Sequence, residues 1–440
     1  MWAVGIEDTA IGRPIRDGGR SLDEYQLTEH YDRWRSDLDL VARLGCNVIR
    51  YGLPWYRLNP TPGQWDWAWL DEVLNYAVKQ LGLTIIADLV HYGTPGWLPD
   101  AFAEPDYPDA VAEFGAAVAG RYHDLIRHYT PLNEPLVTAS FCGQRAIWPP
   151  YGTGDYGWSR VLLGAVNGMQ RTMRAIRAAQ RDSVIVHVES THIWTTQDHS
   201  LRQEVRHNEM RSLLPTDLLV GRVNPEHPLY GWLAKQGIST RLLAEIHAQG
   251  EEPDMIGVNY YPELSCRELV RHNGSVVAVA IPGGRAGLER ILDEFYARYG
   301  LPLLVAETGV EGRATHHVDW LNTSVDAVLG ARDRGVPVVG YTWWPLYDFV
   351  DWSWASGGRI VEEFFVREKE GDKAGQIFPV YPPDGQLDGV AGYLRRMGIY
   401  RLELTAQGLE RRPTDTVEAY RLAATRAVPA IAEQARQVDR

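Results

Sequence analysis

Cysteine is scarce: the 440 residues hold three, Cys46, Cys142 and Cys266. An odd, sparse set cannot form a disulfide framework, and a reduced, cytoplasmic compartment is the expectation. Basic residues are also in deficit, with 44 Lys+Arg against 57 Asp+Glu and a net charge of −13. Nucleic acid or an anionic membrane surface would need a basic patch, so neither is expected as a partner. No apolar run approaches the length of a membrane span, and Met1 to Glu7 lacks the basic-then-apolar pattern of a signal peptide. There is no thiolate cluster, no HExxH helix, no nucleotide-binding glycine fingerprint and no short-period repeat. What is present is globular: 45% hydrophobic and 23% charged residues. Phenylalanine is rare at 8, against 16 Trp and 22 Tyr. Those two side chains join a flat apolar face to a polar edge, which suits sugar rings as well as cores.

Short apolar runs alternate with amphipathic stretches about eight times. The runs are residues 2–6, 47–52, 83–91, 128–134, 184–190, 255–260, 303–309 and 338–343. Most are continuous Val/Ile/Leu segments, as strands buried on both faces should be. Helical patterns fall at 28–44, 67–80, 108–126, 158–181, 286–299 and 317–334. The first puts Tyr31, Trp34, Leu38, Val41 and Leu44 on one stripe, with Gly45 as its stop. Strand–helix alternation over this length predicts an α/β chain, a single (β/α)8 TIM barrel over residues 1–440. Segments near 191–250, 265–285 and 355–390 break the spacing and read as long loops or insertions.

In a parallel barrel, chemistry sits at the C-terminal strand ends. Polar residues there include Arg50, His91, Asn133, Glu134, Glu189, Asn259, Tyr261, Glu307 and Trp344. Glu134 ends the fourth predicted strand and Glu307 the seventh, so both would project into one barrel mouth. Two such carboxylates can protonate a leaving oxygen and attack or stabilise an anomeric carbon. A metal reading exists, since His187 and Glu189 share a strand face with His192 beyond and His316–His317 downstream. Glycosidase chemistry needs no metal, and neither metal nor cofactor is expected.

"TPLNEP" and "LLVAETGV" resemble the acid/base and nucleophile motifs of glycoside hydrolase family 1, the retaining β-glycosidases with a (β/α)8 fold. "GCNVIRYGLPWYRLNP", "LVHYGTP", "GVNYY", "GYTWWPLYDFVDWSW" and the tail "MGIYRLELTAQGLERRPTDTVEAYR" resemble further motifs of that family in the same order. The resemblance implies Glu134 as acid/base and Glu307 as nucleophile, with Arg50 beside Glu307. It implies Tyr261 as a donor to Glu307, and Asn133 and His91 on sugar hydroxyls. Trp344 would be the sugar platform, and Asp351 with Trp352 the grip on distal hydroxyls. The partner is then a small glycoside or oligosaccharide, and self-association is left open. The chain departs from the family in four places: the segment Glu7, Asp8 and Thr9 stands where it supplies a glutamine, Tyr92 replaces a tryptophan, Thr308 an asparagine, and Asp351 a glutamate. The sugar therefore stays unnamed. The alternative is a catalytically silent or regulatory carbohydrate-binding barrel of the same fold.

Overall fold

The computed structural model describes residues 1–11, 19–356, 365–367, 375–379 and 389–438. Eight parallel strands close into a barrel: β1 (Trp2–Gly5), β2 (Val48–Gly52), β3 (Thr84–Asp88), β4 (Ile126–Thr130), β5 (Val184–Ser190), β6 (Met255–Asn259), β7 (Leu303–Thr308) and β8 (Val338–Trp343). Closure comes from β1, which pairs with β8 at Trp2↔Tyr341 and with β2 at Ala3↔Val48. Each strand is followed by helical chain, the main helices being α1 (His30–Arg43), α2 (Ala68–Asn75), α3 (Tyr107–Arg121), α4 (Gly154–Ala179), α5 (Arg202–Leu219), α6 (Gly284–Tyr299), α7 (Ala314–Asp333) and α8 (Asp415–Val438). In α1 the stripe Trp34, Leu38, Val41 and Leu44 is buried as its spacing predicts, while Tyr31 is only half-buried. Gly45 follows at φ 78°, a left-handed stop that a glycine takes without Cβ strain.

Three expectations about local structure are corrected or narrowed. The fourth strand ends at Thr130, before residue 134, because Pro131 has no N–H to give the ladder. Asn133 then makes an isolated bridge to Val188, and the Glu134 amide donates to the Val188 carbonyl at 3.1 Å. Of the two readings of residues 191–250, long loop or insertion, the structure shows an insertion with its own elements: they hold the strand Ile193–Thr195, α5 and the helices Tyr230–Lys235 and Thr240–Ala248. Their apolar residues Leu214, Leu218, Leu233, Leu243 and Ile246 form a cluster of their own with Trp158 and Leu162 of α4.

Residues 265–285 are likewise a hairpin, Cys266–His272 against Ser275–Ala280. Its turn is Asn273–Gly274, both at positive φ (50° and 80°), the pair a two-residue primed turn requires. These strands join Ile193–Thr195, Phe365–Arg367 and Ile377–Pro379 in a five-stranded sheet. Most of the remaining 355–390 stretch lies outside the described residues. Among the described residues, no helix is long and apolar enough to cross a membrane.

Candidate active site

The C-terminal ends of the strands surround a cavity of about 490 Å³. Register brings its parts together: Gly5 of β1 lies beside Arg50 of β2, Gly52 beside Asp88 of β3, and Asn259 of β6 beside Glu307 of β7. Glu7, His91, Tyr92, Glu134, Asn259, Tyr261, Glu307, Trp344 and Trp352 line its inner end. Leu269, Val276 and Ala278 of the five-stranded sheet, with Trp194 and Arg267, wall the outer part.

Glu307 is held as an acceptor. Arg50 Nη1 bonds its Oε1, and the Tyr261 hydroxyl donates to Oε2 at 2.7 Å. Arg50 is wholly buried and cannot lose its proton, so it also bonds Asp88 Oδ2 and, at 2.6 Å, Asn133 Oδ1. Glu134 has a different setting. Burial, and then the Glu307 charge, push its carboxyl up from 4.5 to about 7. The Tyr92 hydroxyl donates to its Oε2 at 2.5 Å and Asn259 Nδ2 to its Oε1 at 2.8 Å, both opposing that rise.

Trp344 is 3% exposed, lies parallel to the His91 ring at 5.6 Å, and donates its indole N–H to Glu7 Oε2 at 2.9 Å. Glu7 Oε1 accepts from the Thr9 hydroxyl at 2.5 Å. Behind His91, its Nδ1 lies 2.9 Å from Asp8 Oδ1 and 3.1 Å from Asp88 Oδ2. Burial opposes charge on this imidazole, but the two carboxylates carry it well above its ordinary value.

The structure therefore brings Glu134, Glu307, His91, Tyr261, Trp344 and Trp352 to one cavity, with Arg50 directly behind Glu307. It does not bring all nine residues there. Asn133 is fully buried behind the cavity lining, its amide engaged by Arg50, by Tyr92 at 3.0 Å and by His91 Nε2 at 3.1 Å. Asp351 turns away: its Oδ1 accepts from the Ser353 amide at 2.8 Å and its Oδ2 lies 3.8 Å from Arg395. Glu189 does not line the cavity either, being fully buried with Oε1 accepting from the Ser190 amide at 2.8 Å.

The histidines of the metal reading do not converge. His187 Nε2 meets Thr216 Oγ1 at 2.9 Å, His192 meets Arg267 at 3.2 Å, and His317 meets the Arg396 carbonyl at 3.1 Å. Among the described residues, metal-ligand spacing occurs in Asp8, Asp88 and His91, whose facing atoms already contact one another and Arg50. Sequence reasoning missed Asp88, although an acid closing the buried strand next to that of Arg50 was a readable signal. It also missed the work of Tyr92, noted only as a departure from a family pattern.

The barrel with two carboxylates in its mouth defines a class, the (β/α)8 glycoside hydrolases. Comparison with known proteins agrees. A glycoside hydrolase family 42 model, described as beta-galactosidase, matches residues 25–125. Beta-glucosidase A of Thermotoga maritima is 22% identical, covering 80% of this chain and 89% of that protein. Thermostable beta-glucosidase B of Thermobispora bispora is 26% identical over 80% and 83%. The solved Thermotoga maritima beta-glucosidase in complex with glucoimidazole superposes with a TM-score of 0.76 at 19% identity, covering 97% of each chain. The chain is a glycoside hydrolase, and within that class it is similar to the β-glucosidases.

Proposed function

We propose that the chain is a retaining β-glycosidase of the family 1 type, with Glu307 as nucleophile and Glu134 as acid/base. The observation that carries this reading is the contrast between the two carboxyls on one cavity. Glu307 is fixed by Arg50 and Tyr261 as an anion ready to attack, while burial and the neighbouring charge let Glu134 hold a proton near neutral pH.

In the first step Glu307 bonds to the anomeric carbon as the glycosidic C–O bond breaks, and Glu134 gives its proton to the departing oxygen. The leaving group departs as a neutral alcohol, and Glu134 is left as a carboxylate. In the second step Glu134 takes a proton from water, whose oxygen attacks the anomeric carbon and releases Glu307. Two inversions retain the β configuration. Trp344 offers a flat face to the ring, and Glu7, acceptor-only as an anion, takes hydroxyl donors from it. The relatives' names favour glucosides and galactosides as first substrates.

Replacing Glu134 by Ala tests the assignment. Turnover of an unactivated aryl β-glycoside is expected to fall roughly 10²–10⁴-fold. With a dinitrophenyl leaving group, azide should restore turnover and yield the β-glycosyl azide. Undiminished turnover in both Glu134→Ala and Glu307→Ala would overturn the reading.

A further inference from the structure

The contact between Tyr92 and Glu134 has an unusual backbone. Both residues sit in the left-handed region, at φ 72° and 44°, where non-glycine side chains are strained. Such conformations persist only where the surroundings over-determine them, and here the two strained residues are the two ends of one 2.5 Å hydrogen bond. The Tyr92 ring has little freedom: it meets His91 edge-on at 4.7 Å, Trp148 at 5.2 Å and Trp352 edge-on at 5.6 Å. Its proton has little freedom either. Asn133 Nδ2 donates to the phenol oxygen at 3.0 Å, so the one O–H of Tyr92 is directed onto Glu134 Oε2.

We propose that Tyr92 is a positioning residue for the acid/base: its hydroxyl fixes the rotamer of Glu134 and favours the carboxylate that the second half of the reaction requires. The inference rests on the assignment of Glu134 made above. In the first step the bond strengthens as Glu134 gives up its proton, because a donor bound to a developing anion gains strength. In the second step Oε2 stays engaged by Tyr92, which steadies the carboxylate as Glu134 draws a proton from water. The titratable groups facing Glu134 are Glu307 from β7, Glu189 from β5, His91 and Tyr92 after β3, and Tyr261 after β6. The carboxylates oppose its ionisation, while His91 and the Tyr92 bond favour it.

Tyr92→Phe removes the hydroxyl and keeps the ring between its aromatic neighbours. The direct reading is a carbon-13 NMR titration of glutamate side-chain carboxyls, with Glu134→Gln identifying the Glu134 signal. Tyr92→Phe should raise the Glu134 midpoint by about one to two pH units, the size expected for losing a hydrogen bond to a charged group. The alkaline limb of kcat/KM should move up with it. On a dinitrophenyl glycoside, whose slow step is the second, kcat at neutral pH should fall at least threefold. A Glu134 midpoint and pH profile that coincide with the parent's would overturn the proposal, whatever the change in Tm. If the parent turns over no glycoside while the NMR midpoint still shifts, the hydrolase reading fails and the hold of Tyr92 on Glu134 stands.

Discussion

At Glu307 each carboxyl oxygen meets a donor from a different strand, Arg50 within β2 and Tyr261 just after β6. Arg50 is the more consequential of the two because it is wholly buried among Glu307, Asp88 and Asn133. A buried charge set of this kind is costly to break, since removing one partner leaves the others uncompensated. Arg50→Met should therefore lose activity and also stability, by about 3–5 kcal/mol. Chemical denaturation would read this as a lower midpoint, and a variant as stable as the parent would show that Arg50 is not the counter-charge described here.

At the scale of elements, the proposed sugar platform Trp344 depends on the missing side chain at Gly5, the end of β1. A Cβ added at Gly5 of β1 would lie 2.0 Å from the Trp344 ring, so the indole occupies the space that any larger residue would need. Gly5→Ala should push Trp344 aside and raise KM for aryl glycosides at least tenfold, with the barrel still folded by circular dichroism. An unchanged KM would mean that Trp344 is not the platform. Most of the eight strands were legible because both faces are buried and they read as apolar runs; those starting at 184 and 338 match to the residue. The fourth ends at Thr130, short of its apolar run, because Pro131 has no N–H for the ladder. The hairpin at 266–280 was hidden by a Gly/Pro reading of its neighbourhood, although Asn273–Gly274 is a turn signal in itself. Glu134 and Glu307 could be found from strand-end position, but Asn133 and Asp351 could not be oriented that way. Whether a strand-end side chain faces the cavity or the wall depends on partners brought in by other strands.

For the whole molecule, Glu134, the proposed acid/base, is a load on stability. Its folded carboxyl is raised from 4.5 to about 7, so the folded state binds a proton that the unfolded chain has already released. Stability contributed by the protonated form is present below pH 4.5 and is lost as pH rises toward about 7. Glu134→Gln cannot ionise, so its advantage over the parent should be small at pH 4 and grow to on the order of 2–3 kcal/mol at pH 8. Thermal unfolding of both proteins across that range checks the sign, and an advantage that shrinks with rising pH would contradict it.

The central claim is that Glu307 forms a bond to the sugar. Incubation with a 2-deoxy-2-fluoro β-glycoside bearing a good leaving group slows the second step, so the glycosyl-enzyme should accumulate and be readable by peptide mass mapping. The expected result is one fluorosugar on the peptide holding Glu307 and none in Glu307→Ala. A label on another carboxylate, or steady release of fluorosugar with no adduct at any time, would contradict the account.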